Sequence, residues 1–214
     1  MNFKLAIFDL DGTLMNTSAG IFSSANATVK KLGMEPEHDP AQLSKFIGPP
    51  INQCFVEVYN MDQALIEQAV SLYRVEYDLR GRFNAVAYPN MKKTLDVLKE
   101  KGYLLAVGTL KHESLAQDMM THFGFDHYFD SIRGSDLNSH LSKADIIQLV
   151  LQDLSVRAED AVLIGDTIHD QKGAAESGVA FIAVDYGFGF PKGTPKEDSM
   201  LAMVSSADEL LTLL

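Results

Sequence analysis

The feature that most constrains how this chain can fold is a set of short apolar runs separated by helical stripes. The runs are Phe3-Lys4-Leu5-Ala6-Ile7-Phe8, Leu104-Leu105-Ala106-Val107-Gly108, Ala161-Val162-Leu163-Ile164-Gly165 and Val179-Ala180-Phe181-Ile182-Ala183-Val184. Near-continuous apolarity in so short a run marks a strand buried on both faces. Between the runs, Met91, Leu95 and Leu98 recur at helical spacing before Gly102. Leu115, Met119 and Phe123 do the same, and then Ile146, Ile147, Val150, Leu151 and Leu154. Strands alternating with helices predict a parallel sheet covered on both faces, a three-layer, Rossmann-like α/β core. A last helix is expected near Ala207 to Leu213, after a polar surface loop from Pro191 to Ser199.

The stretch from Thr17 to about Phe83 has helical periodicity and no convincing strand. Ser18 is expected to cap a helix whose apolar face is Ile21, Ala25, Val29 and Leu32, stopping at Gly33. Asp39-Pro40 opens a short second helix. Phe46-Ile47-Gly48-Pro49-Pro50 reads as a rigid break before Ile51 to Tyr59, and a longer helix follows Asp62 with Leu65, Ile66, Ala69, Val70, Leu72 and Tyr73 facing inward. The expected division is an α/β core of residues 1–15 and 84–214, and an inserted all-helical domain of residues 16–83. The insertion leaves the sheet a few residues past Asp9 and Asp11, where it can act as a lid.

Charge narrows the partners. Against 29 Asp+Glu there are 18 Lys+Arg, a net charge of −11, which argues against a broad nucleic-acid or anionic-membrane surface. Any phosphate ligand must then be met by local devices. The single cysteine, Cys54, excludes an internal disulfide. The N-terminus lacks a basic region followed by a long apolar run, so a cytoplasmic location is expected. No apolar stretch is long enough to span a bilayer.

In an open parallel sheet, ligands bind beyond the carboxyl ends of the strands, where the strand order reverses. After the first run come Asp9, Asp11, Gly12 and Thr13; after the run ending at Gly108 comes Thr109; after the run ending at Gly165 come Asp166 and Asp170. Such carboxylates repel one another unless a cation lies among them. An oxygen-only donor set favours a hard ion, and Mg²⁺ suits a site whose other ligand is phosphate. For Asp-x-Asp-Gly alone, turn chemistry is explanation enough, with Asp166 merely capping the next helix. The second pattern, Gly-Asp-x-x-x-Asp after another strand, outweighs that simpler account.

Asp9-Leu10-Asp11-Gly12-Thr13-Leu14, Thr109, Lys143 and Gly165-Asp166-Thr167-Ile168-His169-Asp170 resemble, in order, the four motifs of the haloacid dehalogenase superfamily. The likeness covers essentially the whole chain, and the helical insertion resembles that superfamily's first type of cap. Phe46 to Pro50, His122 to Asp130 and Ser142 to Asp145 look most like the phosphoglycolate phosphatase and 5'-nucleotidase branch.

The resemblance implies roles. Asp9 is the expected nucleophile and Asp11 the general acid, then base. Mg²⁺ is expected on Asp9, the backbone carbonyl of Asp11 and Asp166, with Asp170 as ligand or neighbour. Thr109 is expected to hold phosphoryl oxygens, and Lys143 to neutralise charge that develops in transfer. Taken alone, Lys143 reads as one more solvated lysine at a helix start, and Lys111, two residues after Thr109, competes for its role. Gly12, Thr13, Gly48 and Lys111 are further candidates for contact with substrate. Arg74, Arg80 and Arg82 could reach a second anionic group, though arginines late in a helix more often meet solvent or last-turn carbonyls.

Three departures from the common pattern stand out: Asn16 in place of a second loop Asp, Leu110 after Thr109, and Asp185-Tyr186-Gly187-Phe188-Gly189 in place of a more aromatic stretch. None removes a residue needed for phosphoryl transfer. A dinucleotide or P-loop enzyme lacks its fingerprint here. A dehalogenase would not need Asp11 or the metal carboxylates. A sugar phosphomutase shares the same core, and a catalytically silent phosphate-binding protein would not need all four aspartates. The expected activity is Mg²⁺-dependent hydrolysis of a small phosphorylated metabolite, with neither nucleic acid nor membrane as partner.

Overall fold

A computed structural model describes residues 3–47, 51–136 and 140–214 of the chain. Strand β1 (Leu5–Phe8) runs through a tight turn into β2 (Met15–Asn16). Helices α1 (Ser18–Lys31), α2 (Pro40–Leu43), α3 (Ile51–Tyr59) and α4 (Gln63–Leu79) follow, and then β3 (Val86–Ala87), which pairs with β2. The chain continues through α5 (Met91–Glu100), β4 (Leu104–His112), α6 (Glu113–His122), β5 (Ser131–Ser135), α7 (Lys143–Leu154) and β6 (Ala161–Gly165). It ends with α8 (Ile168–Ser177), β7 (Ala180–Val184), β8 (Ala202–Val204) and α9 (Leu210–Leu213).

The main sheet has the order β5-β4-β1-β6-β7-β8, and every neighbouring pair is parallel. Leu5 of β1 registers with Leu104 of β4 on one side and Ala161 of β6 on the other. The chain first builds outward from β1 through β4 and β5, then crosses to its other side with β6. That reversal makes the carboxyl ends of β1, β4 and β6 the place where a ligand is expected. All residues of β1 and β6 are buried. Ile147, Val150 and Leu151 of α7 and Ala174 of α8 close over Leu5, Ile7, Ala106 and Leu163 in one apolar core.

Four strands lie outside the sequence-derived set: β2 and β3, which form the small second sheet, and two strands of the main sheet. Ser131-Ile132-Arg133-Gly134-Ser135 and Ala202-Met203-Val204 form the two edges of the sheet, where one side is unpaired and burial is partial. Edge strands need no continuous apolar run, so they leave no strong pattern. Pairing with β5 also carries β4 beyond Gly108 to His112, across an irregular register, so Thr109 lies within β4 rather than after it.

The chain separates into two compact units, Met1–Asn16 with Ala87–Leu214, and Thr17–Val86. The second unit has its own core, including Ile21, Ala25 and Val29 of α1, Phe55 of α3, and Ile66, Ala69 and Tyr77 of α4. Helix α1 starts at Ser18, so the residue at the cap position is Thr17 rather than Ser18; the Thr17 hydroxyl makes no capping bond. Asp39 and Asp62 do cap, accepting from the backbone N–H of Ala41 at 2.9 Å and of Ala64 at 2.8 Å. Leu65, expected inward on α4, is exposed, and the buried face instead includes Glu76, which pairs with Lys31 of α1. Gly48, Pro49 and Pro50 lie outside the described residues. Among the described residues, no helix is long and apolar enough to cross a membrane.

Candidate active site

The backbone brings the first aspartates together by a tight turn. The N–H of Asp9 donates to the carbonyl of Ile164 in β6 at 2.9 Å, which extends the β1–β6 pairing one residue beyond the strand. The Leu10 carbonyl then accepts from Leu14 and Met15 at 3.1 and 3.0 Å, and Gly12 donates to Met15 at 2.8 Å. Gly12 sits at φ 93°, and a Cβ there would lie 2.2 Å from an oxygen of Asp166. Both its conformation and its closeness to Asp166 require glycine.

Asp9, Asp166 and Asp170 form a buried group whose carboxylate oxygens lie within 4.8 Å of one another. Lys143, the first residue of α7, points its ammonium into the group and lies 2.6 Å from Oδ1 of Asp9 and 2.6 Å from Oδ1 of Asp170. Its side chain is 4% exposed, so it is no solvated surface lysine. Helix α7 is fixed at this end by a capping box. The Ser142 hydroxyl accepts from the Asp145 N–H, and the Asp145 carboxylate accepts from the Ser142 N–H.

Asp166 does not cap α8, as the simpler account supposed. Thr167 is the cap, and Asp170 completes its box by accepting from the Thr167 N–H at 2.9 Å and from its hydroxyl at 2.7 Å. Asp166 instead accepts from the backbone N–H groups of Phe188 at 2.7 Å and Gly189 at 3.3 Å. The Thr13 hydroxyl also donates to Asp166, at 3.3 Å. The sequence reading missed this use of residues 187–189, although their Gly-x-Gly spacing after a strand was the signal for a backbone that approaches closely. Tyr186 adds a further tie, donating from its hydroxyl to the carbonyl of Thr13 at 3.2 Å, and its ring packs on Tyr88 at 4.7 Å.

Electrostatics show how little positive charge the cluster has. Burial pushes the Asp9 carboxyl up to about 8; Lys143 pulls against that rise, and Asp170 and Asp166 add to it. Burial likewise lifts Asp166 to about 6, against the pull of the Phe188 N–H and with a further push from Asp170. For Lys143, burial alone would lower the ammonium, but Asp170 and Asp9 outweigh it and hold it above its ordinary range. Three buried carboxylates share one ammonium. A hard divalent cation fits both the oxygen-only donor set and this shortage of positive charge.

Asp11 lies apart from this group. Its Oδ2 is 2.8 Å from the ammonium of Lys111, at the end of β4, and its Oδ1 is buried with no hydrogen-bond partner. Thr109 is buried, and its hydroxyl accepts from the Lys111 N–H at 3.2 Å. That leaves the Thr109 O–H as a donor for a ligand. The structure thus gathers Asp9, Asp11, Gly12, Thr13, Lys143, Asp166 and Asp170 around the end of β1, with Thr109 and Lys111 on the neighbouring strand.

Comparison with known proteins bears on this arrangement. Residues 6–184 match the family described as haloacid dehalogenase-like hydrolase. A 5'-nucleotidase of Pseudomonas aeruginosa is 38% identical over 190 residues, which cover 88% of this chain and 86% of that protein. The tyrosine-protein kinase PtkA of Mycobacterium tuberculosis is 34% identical over 188 residues, covering 87% of this chain but 63% of that protein. Among solved structures, a haloacid dehalogenase-like hydrolase of Streptococcus pneumoniae is 32% identical, with a TM-score of 0.86 and coverage of 99% and 98%. With its motifs on neighbouring strand ends and a family match spanning most of its length, this chain belongs to the haloacid dehalogenase-like hydrolase family.

Proposed function

We propose that this protein hydrolyses a small phosphomonoester through a phosphoryl group carried on Asp9, with Mg²⁺ as cofactor. The observation that carries this reading is the buried Asp9 carboxylate, in contact with Lys143 and grouped with Asp166 and Asp170 at the strand-order reversal. An oxygen of Asp9 attacks phosphorus, the bond from phosphorus to the leaving oxygen breaks, and Asp11 gives that oxygen its proton. Water then attacks the aspartyl-phosphate, Asp11 takes the water proton, and inorganic phosphate leaves with Asp9 restored. Lys143 offsets charge on the phosphoryl oxygens during both displacements, and the Thr109 hydroxyl donates to one of them. Asp9, the Asp11 carbonyl, Asp166 and Asp170 would hold Mg²⁺, which when bound lowers the repulsion between an anionic nucleophile and an anionic substrate.

The helical unit, Thr17–Val86, is assigned the part of a cap that selects the leaving group, with Gly48 among its candidate contacts. The relative named a 5'-nucleotidase makes nucleoside monophosphates the first substrates to try, and a relative named phosphoglycolate phosphatase, 29% identical over 186 residues, makes phosphoglycolate the second. The PtkA name is not carried over, because more than a third of that protein has no counterpart in this chain. A cytoplasmic location fits a small phosphorylated metabolite as partner.

The test is phosphate release from an aryl phosphate by wild type and by Asp9→Asn, each with Mg²⁺ and with EDTA. Asp9→Asn and EDTA are each expected to abolish turnover. Turnover that persists under both would overturn the mechanism. A screen of phosphorylated metabolites then ranks nucleoside monophosphates against phosphoglycolate.

A further inference from the structure

We propose that Lys111 is a positioning residue for Asp11, holding one oxygen of that carboxylate so that the other is left for proton exchange with the leaving group. This rests on the phosphatase assignment above. The Lys111 ammonium lies 2.8 Å from Asp11 Oδ2, and its side chain is 9% exposed against 25% for Asp11. The other oxygen, Oδ1, is buried and has no hydrogen-bond partner. A buried acceptor left unpaired costs stability, a cost that makes sense where the missing partner is the reacting molecule.

The backbone around Lys111 is shaped for this task. The register of β4 against β5 is broken between Gly108 and His112, and such irregularities re-aim side chains beside active sites. The N–H of Lys111 donates to the Thr109 hydroxyl at 3.2 Å, tying its main chain to a residue two positions back in the same strand. From the far side β5 closes in at Gly134, where a Cβ would lie 2.5 Å from the Lys111 carbonyl oxygen and 2.7 Å from Glu113 Cα. The lysine is therefore held from within its own strand and from its neighbour.

The two lysines divide the site between them. Lys143 serves Asp9 and Asp170, each at 2.6 Å, while Lys111 serves Asp11. A carboxylate that must meet two different oxygens in turn, first the leaving group and then water, gains from a fixed orientation. Displacement by about 1 Å can cost on the order of 10²-fold in rate.

The test compares wild type, Lys111→Met, Lys111→Arg, Asp11→Asn and the Lys111→Met/Asp11→Asn double variant on p-nitrophenyl phosphate and on an alkyl phosphate. A nitrophenolate departs with little need of a proton, whereas an alkoxide needs one. Lys111→Met is expected to lower kcat on the alkyl phosphate by about tenfold or more beyond its effect on the aryl phosphate. KM and the inhibition constant for inorganic phosphate should stay within about threefold, Lys111→Arg should restore much of the lost rate, and the loss should vanish in the Asp11→Asn background. If instead KM and the phosphate inhibition constant rise about tenfold and the two losses add, Lys111 binds substrate directly and the proposal is wrong. An equal loss on both substrates with a lowered melting temperature would mean a structural role only and would overturn it as well. Absence of phosphate release by wild type, or retention of it by Asp9→Asn, is seen before any Lys111 variant is compared; it removes the phosphatase assignment itself and this proposal with it.

Discussion

Replacing Lys143 with Met keeps the length of the side chain and removes its charge. The ammonium is buried and makes contacts of 2.6 Å with both Asp9 and Asp170. Without it, three buried carboxylates have no cation among them. Breaking a buried pair by removing one partner costs about 3–5 kcal/mol, mostly as the penalty of the charge left behind. For a protein of this size each kcal/mol lowers the melting temperature by about 2–4 °C, so a fall of about 6–20 °C is expected. Proton uptake by a carboxyl limits the loss, which places the larger values at the alkaline end of a pH series. Mg²⁺ should recover part of the stability by supplying the missing charge, with an effect that grows with its concentration. Circular dichroism melts with and without Mg²⁺, run beside phosphate release, read both quantities. A variant that melts within about 2 °C of wild type and keeps kcat within about threefold would refute both the electrostatic accounting and the role given to Lys143.

Two further outcomes can be measured. Gly173→Ala would place a Cβ 2.6 Å from Lys143 Cγ and 2.7 Å from its Cβ; despite a gain of helix propensity, urea melts should show a net loss of about 1–2 kcal/mol, and kcat should fall more than KM rises. At the sheet edge, Arg133 donates to Asp153 from Nε at 2.7 Å and Nη2 at 2.8 Å, holding its carboxyl below the ordinary value of 3.8. A depressed carboxyl stabilises the fold above its unfolded pKa and loses that contribution as pH falls, so the urea-midpoint gap between wild type and Asp153→Asn should be open at pH 7 and close well below pH 4.

The central strands were legible in the sequence because burial on both faces writes a continuous apolar run, as in Leu5-Ala6-Ile7-Phe8. The sheet edges were not: Arg133 and Ser135 sit in β5 because pairing, rather than apolarity, holds that strand. Asp9, Asp11, Asp166 and Asp170 stood out because carboxylates at successive strand ends have no cheap structural use together. Lys143 gave no such signal, since a lysine at a helix start looks the same whether it turns to water or into the sheet. The backbone donors of Phe188 and Gly189 were hidden for another reason. Main-chain groups carry no residue-specific letter, and only the glycine spacing hinted at a close approach. Lys111 was visible as a cation near the site, but nothing in its spacing could say that its partner was Asp11.

Asp170 uses its two oxygens for two jobs: Oδ2 closes the first turn of α8 with Thr167, and Oδ1 meets Lys143. The nucleation of a helix and the assembly of a charged centre therefore draw on one side chain. In the folded state the start of α8 and the seat of Lys143 from α7 are thereby tied to each other. The same sharing limits sequence drift at this position. An asparagine could still accept at the cap, but its amide would leave Lys143 with one carboxylate fewer, so that substitution keeps the start of the helix and weakens the charged centre.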